Sequence, residues 1–349
     1  MLARLQLKEF RCFESLTVPL SDGFNFFVGA NGEGKTSILE AVCVLLRLQS
    51  QRTSSLAPVV RAGAKSFSVR GSFDDHALEF HYGGLRRRLR FDQVEQRVAL
   101  EYLRLARVVS FANTDIEMVR GGSEPRRRYL DFLGSQMDPR YRATLRAYDR
   151  ALRSRNALLK SAQPRPRELA AYDEPLIRHG TELGALRAKI AEQLAPEAAA
   201  AHAEISGAGE KLDVYFLAGH EPDFAAHLAR SRPQEERLRQ TVVGPHRDDL
   251  ELFVDGMAAQ NYASEGQQRT LALALKLAQA RLFAGQGTPP VLLLDDIFGE
   301  LDPARRNALL ATLTVSPQKL ITATSLQWRE QPGEAIIWAL RDRQLHRVD

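Results

Sequence analysis

The chain has 349 residues, 44% hydrophobic and 26% charged, with a formal net charge of +5, which indicates a globular protein of two or three domains and excludes wholesale disorder. No run of 18 apolar residues occurs and the first residues are polar, so we expect neither a membrane span nor a secretory signal. Two cysteines, Cys12 and Cys43, exclude a disulfide scaffold and a four-cysteine zinc site, and they favour a reducing cytoplasm.

The N-terminal segment predicts strands followed by a glycine-rich turn and a helix. Apolar and polar residues alternate over 5–7 and 16–20, which indicates two half-buried strands. The run FNFFV at 24–28 predicts a short buried strand. Apolar residues then recur at helical spacing from 35 to 48. The expected order is therefore strand, strand, strand, turn, helix.

The middle of the chain divides into a strand-rich part and a helical part. Alternation over 67–73 and 78–82 predicts an antiparallel sheet, and the arginine cluster at 86–90 gives this sheet a basic edge. Residues 126–205 are rich in Ala, Leu, Arg and Glu at helical spacing, interrupted by several prolines, Pro175 among them. We interpret them as a helical subdomain inserted into an α/β body.

The last third returns to an α/β pattern. A strongly apolar helix is predicted over 266–285, and the apolar run at 291–294 predicts a buried strand. Asp302 followed by proline predicts the N-cap of another helix. Two further strands are expected at 319–324 and 336–340.

The strongest chemical signal lies between the first predicted helix and the strand before it. The segment matches the phosphate-binding pattern G-x-x-x-x-G-K-[ST] through Gly29, Ala30, Asn31, Gly32, Glu33, Gly34, Lys35 and Thr36. The glycines let backbone N–H groups surround phosphates, and the helix N-terminus adds its positive dipole end. We expect Lys35 to reach the β and γ phosphates and Thr36 to bind Mg²⁺.

A second signal is the run VLLLDD at 291–296, which has the form of a Walker B strand. Asp295 ends the strand and is the candidate Mg²⁺ ligand. Asp296 is placed to orient or deprotonate an attacking water, so Asp296 and Lys35 are the candidate catalytic residues. A solvated acidic turn explains such a strand end equally well in isolation. Together with the glycine-rich loop, however, it predicts a nucleotide site.

A third signal is the segment SEGQQR at 264–269, which begins 27 residues before the Walker B strand. It resembles the signature of ATP-binding-cassette (ABC) ATPases, in which such residues face an ATP held by a second subunit. On that basis Ser264, Gly266 and Gln267 are candidate nucleotide contacts. Asp302 after Walker B resembles the D-loop of the same class. The alternative for Ser264 is a plain helix N-cap.

These motifs together resemble the RecF family of recombination-mediator ATPases, which are related to SMC proteins. The similarity extends from residue 1 to about 325. It is carried by FNFFVGANGEGKTSILEA, SQRT at 50–53, GGSEPRRRYLDFL at 121–133, TVVGPHRDDLELFVDG at 241–256, SEGQQRTLALALKLAQ and LLLDDIFGELDPARR.

The resemblance implies an α/β fold, an ABC-type ATPase head whose lobe I has a mixed sheet with the phosphate loop. A mostly helical lobe II is inserted into it. We expect residues 1–125 to form the N-terminal part of lobe I, residues 126–240 to form lobe II, and residues 241–349 to complete lobe I.

The resemblance also implies a function. The family uses ATP and Mg²⁺ to form a homodimer that sandwiches two ATP molecules, and it hydrolyses ATP weakly and in a DNA-dependent manner. It binds DNA near single-strand gaps and helps to load RecA together with RecR and RecO. The implied location is the cytoplasm, at the nucleoid.

A basic stretch provides candidate DNA contacts. Residues 126–160 contain ten Arg or Lys and three Asp, an excess of seven positive charges. Solvated helix faces, or a general preference for Arg, explain part of this excess. The remainder favours nucleic-acid contact. The candidate residues are Arg126, Arg127, Arg128, Arg140 and Arg142.

Other P-loop classes fit less well. An ABC transporter ATPase subunit remains the alternative, but 227 residues separate Thr36 from Ser264 and the LSGGQ form is absent. No sustained heptads predict a long coiled coil. A metabolic kinase needs no signature segment, and the N-K-x-D motif of GTPases is absent.

Two family features have no clear position in the sequence, and a third segment has no assigned chemical role. Thr324 or Ser325 is the positional candidate for the switch residue, and the segment 113–115 is the candidate for the Q-loop. The segment GPHRDD at 244–249 is interpreted as a structural turn that precedes the signature.

Overall fold

The computed structural model describes residues 1–53, 55–84, 86–161, 166–207, 209–328 and 335–348. The chain divides into two compact units, of which the first contains Met1–Thr114 and Gln279–Asp349 and the second Asp115–Ala278. None of the helices in the described part is long and apolar enough to cross a membrane.

The strands, in chain order, are β1 (Leu2–Phe10), β2 (Phe13–Pro19), β3 (Gly23–Val28), β4 (Phe67–Phe73), β5 (His76–Gly83), β6 (Arg86–Phe91), β7 (Val94–Glu95), β8 (Val108–Ala112), β9 (Leu212–Leu217), β10 (Asp249–Val254), β11 (Met257–Ala258), β12 (Val291–Asp295), β13 (Gln318–Ala323), β14 (Ala335–Arg341) and β15 (Gln344–Val348). The α-helices are α1 (Lys35–Arg47), α2 (Leu100–Arg104), α3 (Glu117–Arg120), α4 (Ser123–Met137), α5 (Tyr141–Leu159), α6 (Pro166–Ser206), α7 (Phe224–Arg230), α8 (Arg232–Leu238), α9 (Ala259–Tyr262), α10 (Glu265–Gly285) and α11 (Pro303–Thr312).

The first unit contains two six-stranded sheets in its described residues. One is antiparallel, in the order β2-β1-β4-β5-β6-β7, and we call it the antiparallel sheet. The other has the order β15-β14-β3-β13-β12-β8 and is parallel except for β15, so we call it the mixed sheet. The predicted α/β class and mixed sheet are confirmed.

Helix α1 forms the core between these two sheets. It contacts β1, β4 and β5 on one side and β8, β12 and β13 on the other. A helix covered on both sides buries apolar residues on both of its faces, and Ile38, Leu39, Val42 and Leu45 are fully buried. The buried hydroxyl of Tyr102 donates to the carbonyl of Leu45 and links α2 to this helix. This burial fixes the helix that begins at the phosphate loop.

The second unit combines helices with the three-stranded sheet β11-β10-β9. Helix α6 has 41 residues and continues through Pro175, so the expected interruption there is wrong. Leu176, Leu183 and Leu194 are completely buried along α6 and hold it in place across the lost backbone hydrogen bond.

The unit boundaries differ from the predicted domain boundaries at 126 and 240. The second unit begins at residue 115 and continues to 278. The physical reason is strand pairing, because β10 pairs along its length with β9 and packs against α4. Residues 241–278, which the sequence assigned to lobe I, therefore belong to the second unit.

Candidate nucleotide-binding site

The site forms at the carboxyl edge of the mixed sheet. Strands β3, β13, β12 and β8 are parallel neighbours, so their carboxyl ends lie at one edge. The glycine-rich loop follows β3, the two acids close β12, and Asn113 follows β8. This edge is where open α/β sheets bind ligands. The topology thus brings together residues from three distant parts of the chain.

The loop conformation depends on glycine at two positions. Gly32 and Gly34 have φ values of 88° and 106°, in the left-handed region that favours glycine. A Cβ atom on Gly34 would also lie 2.6 Å from the Phe13 ring. No side chain caps the N-terminus of α1 at Gly34. The first N–H groups of α1 are therefore oriented for an anion, as the sequence predicts.

Lys35 is folded over the loop that precedes it. Its Nζ donates to the carbonyl oxygens of Gly29 and Ala30 at 2.7 and 2.8 Å. Burial lowers the pKa of Lys35, and the nearby carboxylates of Asp296 and Asp295 raise it in opposition. The ammonium group is thus held against the backbone of the loop.

The two predicted Mg²⁺ ligands, Thr36 and Asp295, are in direct contact. The Thr36 hydroxyl donates to Asp295 Oδ1 at 2.8 Å, and the Thr322 hydroxyl on β13 donates to the same oxygen at 2.7 Å. Hard oxygen donors of this kind fit Mg²⁺, which binds few protein ligands and completes its shell with phosphates and water. No cluster of three His, Cys, Asp or Glu in the described residues forms a ready metal site elsewhere.

Asp296 is held in an uncommon backbone conformation beside Asp295. Its φ is 53°, and its N–H donates to the Thr322 hydroxyl at 3.0 Å. The Asn113 amide donates to its carbonyl oxygen at 3.3 Å. Burial raises the pKa of the Asp296 carboxyl, and the Lys35 ammonium partly offsets this effect. Thr324, the positional candidate for the switch, makes a backbone hydrogen bond to Asp296.

Several of these residues line a cavity of about 580 Å³. One wall of the cavity is formed by residues that the sequence analysis did not assign to the nucleotide site. The predicted residues in its lining are Asn31, Gly32, Gly34, Lys35, Thr36, Asp295 and Asp296. The unassigned ones include Arg11, Cys12, Arg52, Pro58, Val60 and Ala62.

The buried carboxylate of Glu40 organises that wall. Arg11 donates to both of its oxygens at 2.7 Å, and the Ser50 hydroxyl donates to it at 2.5 Å. Arg52 forms an ion pair with it at 3.7 Å. The match of residues 50–53 to the family was the available signal for Ser50 and Arg52. Arg11 had none, because its partner is 29 residues away.

The chain is similar to known proteins over most of its length. The family model described as RecF/RecN/SMC N terminal domain matches residues 1–332. DNA replication and repair protein RecF of Symbiobacterium thermophilum is 37% identical, covering 97% of this chain and 96% of the relative.

The chain belongs to the RecF family.

Further RecF proteins and solved structures support the assignment. RecF of Synechocystis is 36% identical, with 94% of each chain covered. The structure of the recombination mediator protein RecF-ATP in the RecFOR pathway has a TM-score of 0.89 at 29% identity, with 100% and 97% coverage. An Smc head structure has a TM-score of 0.56 at 17% identity, over 99% of this chain and 96% of that one, which shows a shared fold.

The signature residues of this RecF family member lie in the second unit, at the start of α10. The Ser264 N–H donates to Gln267 Oε1 at 2.8 Å, and the Gln267 N–H donates to the Ser264 hydroxyl at 3.3 Å. This reciprocal pair is a capping box. Ser264 is therefore a helix cap, and its exposed position also leaves it accessible to a partner. Gly266, next to it, is half-buried.

Asp302, the D-loop candidate, caps α11 in the first unit. Its carboxylate accepts from the Arg305 N–H at 2.9 Å, and its side chain is about half exposed. The cap prediction from the Asp-Pro pair is confirmed. The D-loop role stays a prediction.

The predicted DNA contacts do not form one exposed patch. Arg126 is buried, and its guanidinium donates to both oxygens of Asp249 at 2.6 and 2.8 Å. Arg126 is thus a structural residue, and its assignment to DNA contact is corrected. Arg127 is half-buried and donates to the Asp248 carbonyl at 2.9 Å. Arg128 and Arg140 are exposed but paired with Glu124 and Asp138, and Arg142 is half-buried.

The GPHRDD segment connects the helices of the second unit. Asp248 accepts from Arg187 on α6 at 2.9 Å, and Asp249 holds Arg126 on α4. His246 Nδ1 lies 2.7 Å from the Tyr148 hydroxyl on α5. Three helices are therefore fastened to one turn, as expected of a structural segment.

Proposed function

We propose that this chain is an ATP-driven switch of DNA replication and recombinational repair. It binds ATP with Mg²⁺, forms a homodimer around two ATP molecules on gapped DNA, and hydrolyses ATP weakly in a DNA-dependent manner. The observation that carries this proposal is the direct contact between Thr36 and Asp295, with Lys35 and Asp296 beside them.

Each residue at the sheet edge has a distinct task. The loop N–H groups and Lys35 bind the phosphates, with the ammonium exchanging its carbonyl partners for phosphate oxygens. Thr36 and Asp295 would hold Mg²⁺, which would neutralise charge on the phosphates. Asp296 orients the attacking water and accepts its proton. The short reach of an aspartate in this position favours slow hydrolysis.

The partners follow from the family. RecF is described in its solved structures as a recombination mediator of the RecFOR pathway. We therefore extend to this chain an interaction with RecR, and with RecO and RecA in the loading of RecA at single-strand gaps. The protein acts at the nucleoid in the cytoplasm.

Sedimentation velocity tests the switch. Wild type is examined without nucleotide, with ADP and with ATP–Mg²⁺, beside Lys35→Ala and Ser264→Arg. We expect a dimer with ATP alone, no ATP binding by Lys35→Ala, and a monomer that still binds ATP for Ser264→Arg. An ATP-bound wild type that stays monomeric with and without DNA would contradict the proposal.

A further inference from the structure

The solvent face of the antiparallel sheet carries a row of polar and basic residues across five strands. Strand alternation buries Leu7, Val69, Phe80 and Leu89 on one face and turns their neighbours to the other. The cross-strand partners on the outer face, from β2 to β6, are Ser15, Lys8, Ser68, His81 and Arg88. We call these five residues the basic row. It contains no carboxylate.

The basic residues of the row form no ion pair with an acidic side chain in the described part of the chain. Lys8, Arg86 and Arg88 are exposed, and no acidic residue in the described part of the chain forms an ion pair with them. The adjacent row contains Glu79, which is already paired with Arg70 at 2.9 Å and with Arg90 at 3.7 Å. The face therefore presents excess positive charge.

The dimensions and composition of this face fit a phosphate backbone. With strands about 4.8 Å apart, the row from Ser15 to Arg88 extends about 19 Å. Seryl hydroxyls and basic side chains are the groups that contact phosphates. Phe67, Phe73 and Tyr82 are buried on the opposite face, so the described residues of the outer face include no Phe, Tyr or Trp ring for stacking unpaired bases. A surface with basic charge but without these large aromatic rings favours the duplex over a single strand.

We propose that the basic row binds the sugar–phosphate backbone of double-stranded DNA. The inference rests on the proposed function, since it locates the DNA contact which that function requires. It also replaces the stretch around Arg126, where the guanidinium groups are buried or paired with carboxylates.

The test compares two neutralised variants of equal charge. Lys8→Gln/Arg88→Gln removes two charges from the basic row. Lys189→Gln/Arg237→Gln removes two exposed charges from the second unit and serves as the control. Binding to a fluorescent 30-base-pair duplex and to a 30-nucleotide single strand is measured by anisotropy from about 50 to 200 mM salt, with ATP–Mg²⁺. Nucleotide binding and thermal unfolding confirm that each variant is folded.

We expect the Lys8→Gln/Arg88→Gln variant to bind the duplex more weakly, with a salt slope reduced by about two units, one for each lost phosphate contact. The control variant should keep the wild-type slope. An unchanged slope in the row variant, an equal loss in both variants, or a loss confined to the single strand would overturn the proposal. If the wild type bound no DNA at all, the proposed DNA function would be overturned as well. If the row variant bound DNA as the wild type does, only the location of the DNA contact would be overturned.

Discussion

The side-chain amide of Gln267 donates a 2.7 Å hydrogen bond to the carboxylate of Glu210. The same glutamine also closes the capping box with Ser264 at the start of α10. Two hydrogen bonds thus fix the Gln267 side chain: its oxygen accepts from Ser264 and its nitrogen donates to Glu210. The signature segment is ordered by its own unit, before any second subunit is present.

Replacing Glu210 tests whether this anchor matters. Glu210→Ala should bind ATP as wild type does but form the ATP-dependent dimer about tenfold more weakly, since a hydrogen bond to a charged group is lost. Glu210→Gln keeps an acceptor oxygen and should restore most of the dimer affinity. Sedimentation equilibrium with ATP–Mg²⁺ measures both. Equal dimer affinity in Glu210→Ala and wild type would show that the anchor has no role.

Asp296→Asn should separate ATP binding from hydrolysis. The variant should bind ATP with little change and hydrolyse it at least about 100-fold more slowly, because a general base is lost. In wild type, burial raises the pKa of the Asp296 carboxyl. A base acts when deprotonated, so the rate should fall on the acid side as Asp296 takes up a proton.

Steady-state hydrolysis over a pH series measures this effect, with the exposed Asp22→Asn as the control. The acid limb should persist in the control and be absent from the residual activity of Asp296→Asn. Full activity of Asp296→Asn would assign the base elsewhere.

Two neighbouring arginines on α4 should differ sharply in their contribution to stability. Arg126→Ala leaves the Asp249 carboxylate without its bidentate partner and two carbonyl oxygens without a donor. It should lower the free energy of unfolding by about 3 kcal/mol. Arg128→Ala removes an exposed pair with Glu124 and should change stability little. Urea denaturation compares the two, and similar losses would contradict the assigned burial of Arg126.

His246 should make the second unit sensitive to acid. Burial lowers the pKa of His246 from 6.5 to about 4. Between these values the unfolded chain binds the proton and the folded chain does not, so stability falls as pH decreases from about 6.5 to about 4. The full contribution is about 3 kcal/mol.

The structure shows why His246 stays neutral. Its Nε2 lies 3.0 Å from the Thr241 carbonyl and therefore donates, which leaves Nδ1 to accept from Tyr148. His246→Asn should flatten the stability profile between pH 4 and 6.5 in denaturant titrations. An equally steep profile in the variant would point to other titrating groups.

The nucleotide site is encoded locally, and this explains why the sequence predicts so much of it. Gly32 and Gly34 determine the conformation of the loop. A short apolar run followed by two acids places Asp295 and Asp296 at the end of a buried strand. In a parallel sheet the carboxyl ends of these strands lie at the same edge, so no further information is needed to predict that the residues lie close together. The contact of Thr36 with Asp295 follows from that arrangement.

Features that depend on distant partners were not predictable. Arg126 belongs to a run of basic residues, but the carboxylate that buries it is 123 positions away. The same holds for the wall built by Arg11 and Glu40. A charge run gives the number of arginines and not their partners, so it cannot distinguish a buried ion pair from an exposed contact.

Secondary structure shows the same division. Proline predicted a break at Pro175, and packing of the leucines of α6 overrode that local preference. The strands β9, β10 and β11 are short and lie beside long helices, where a weak alternation has little power to identify them.

The position of β3 in the mixed sheet has a consequence for biosynthesis. This strand is paired on one side with β13 and on the other with β14, both from the last part of the chain. At about 5–20 residues per second, roughly 15 to 60 s of translation separate the emergence of Val28 from that of Gln318. During that time the phosphate loop has no neighbouring strands on either side. The second unit, by contrast, is continuous in sequence, so its folding does not have to wait for the last part of the chain. Because β3 lacks its partner strands until then, ATP binding can stabilise the first unit only after nearly the whole chain has been made.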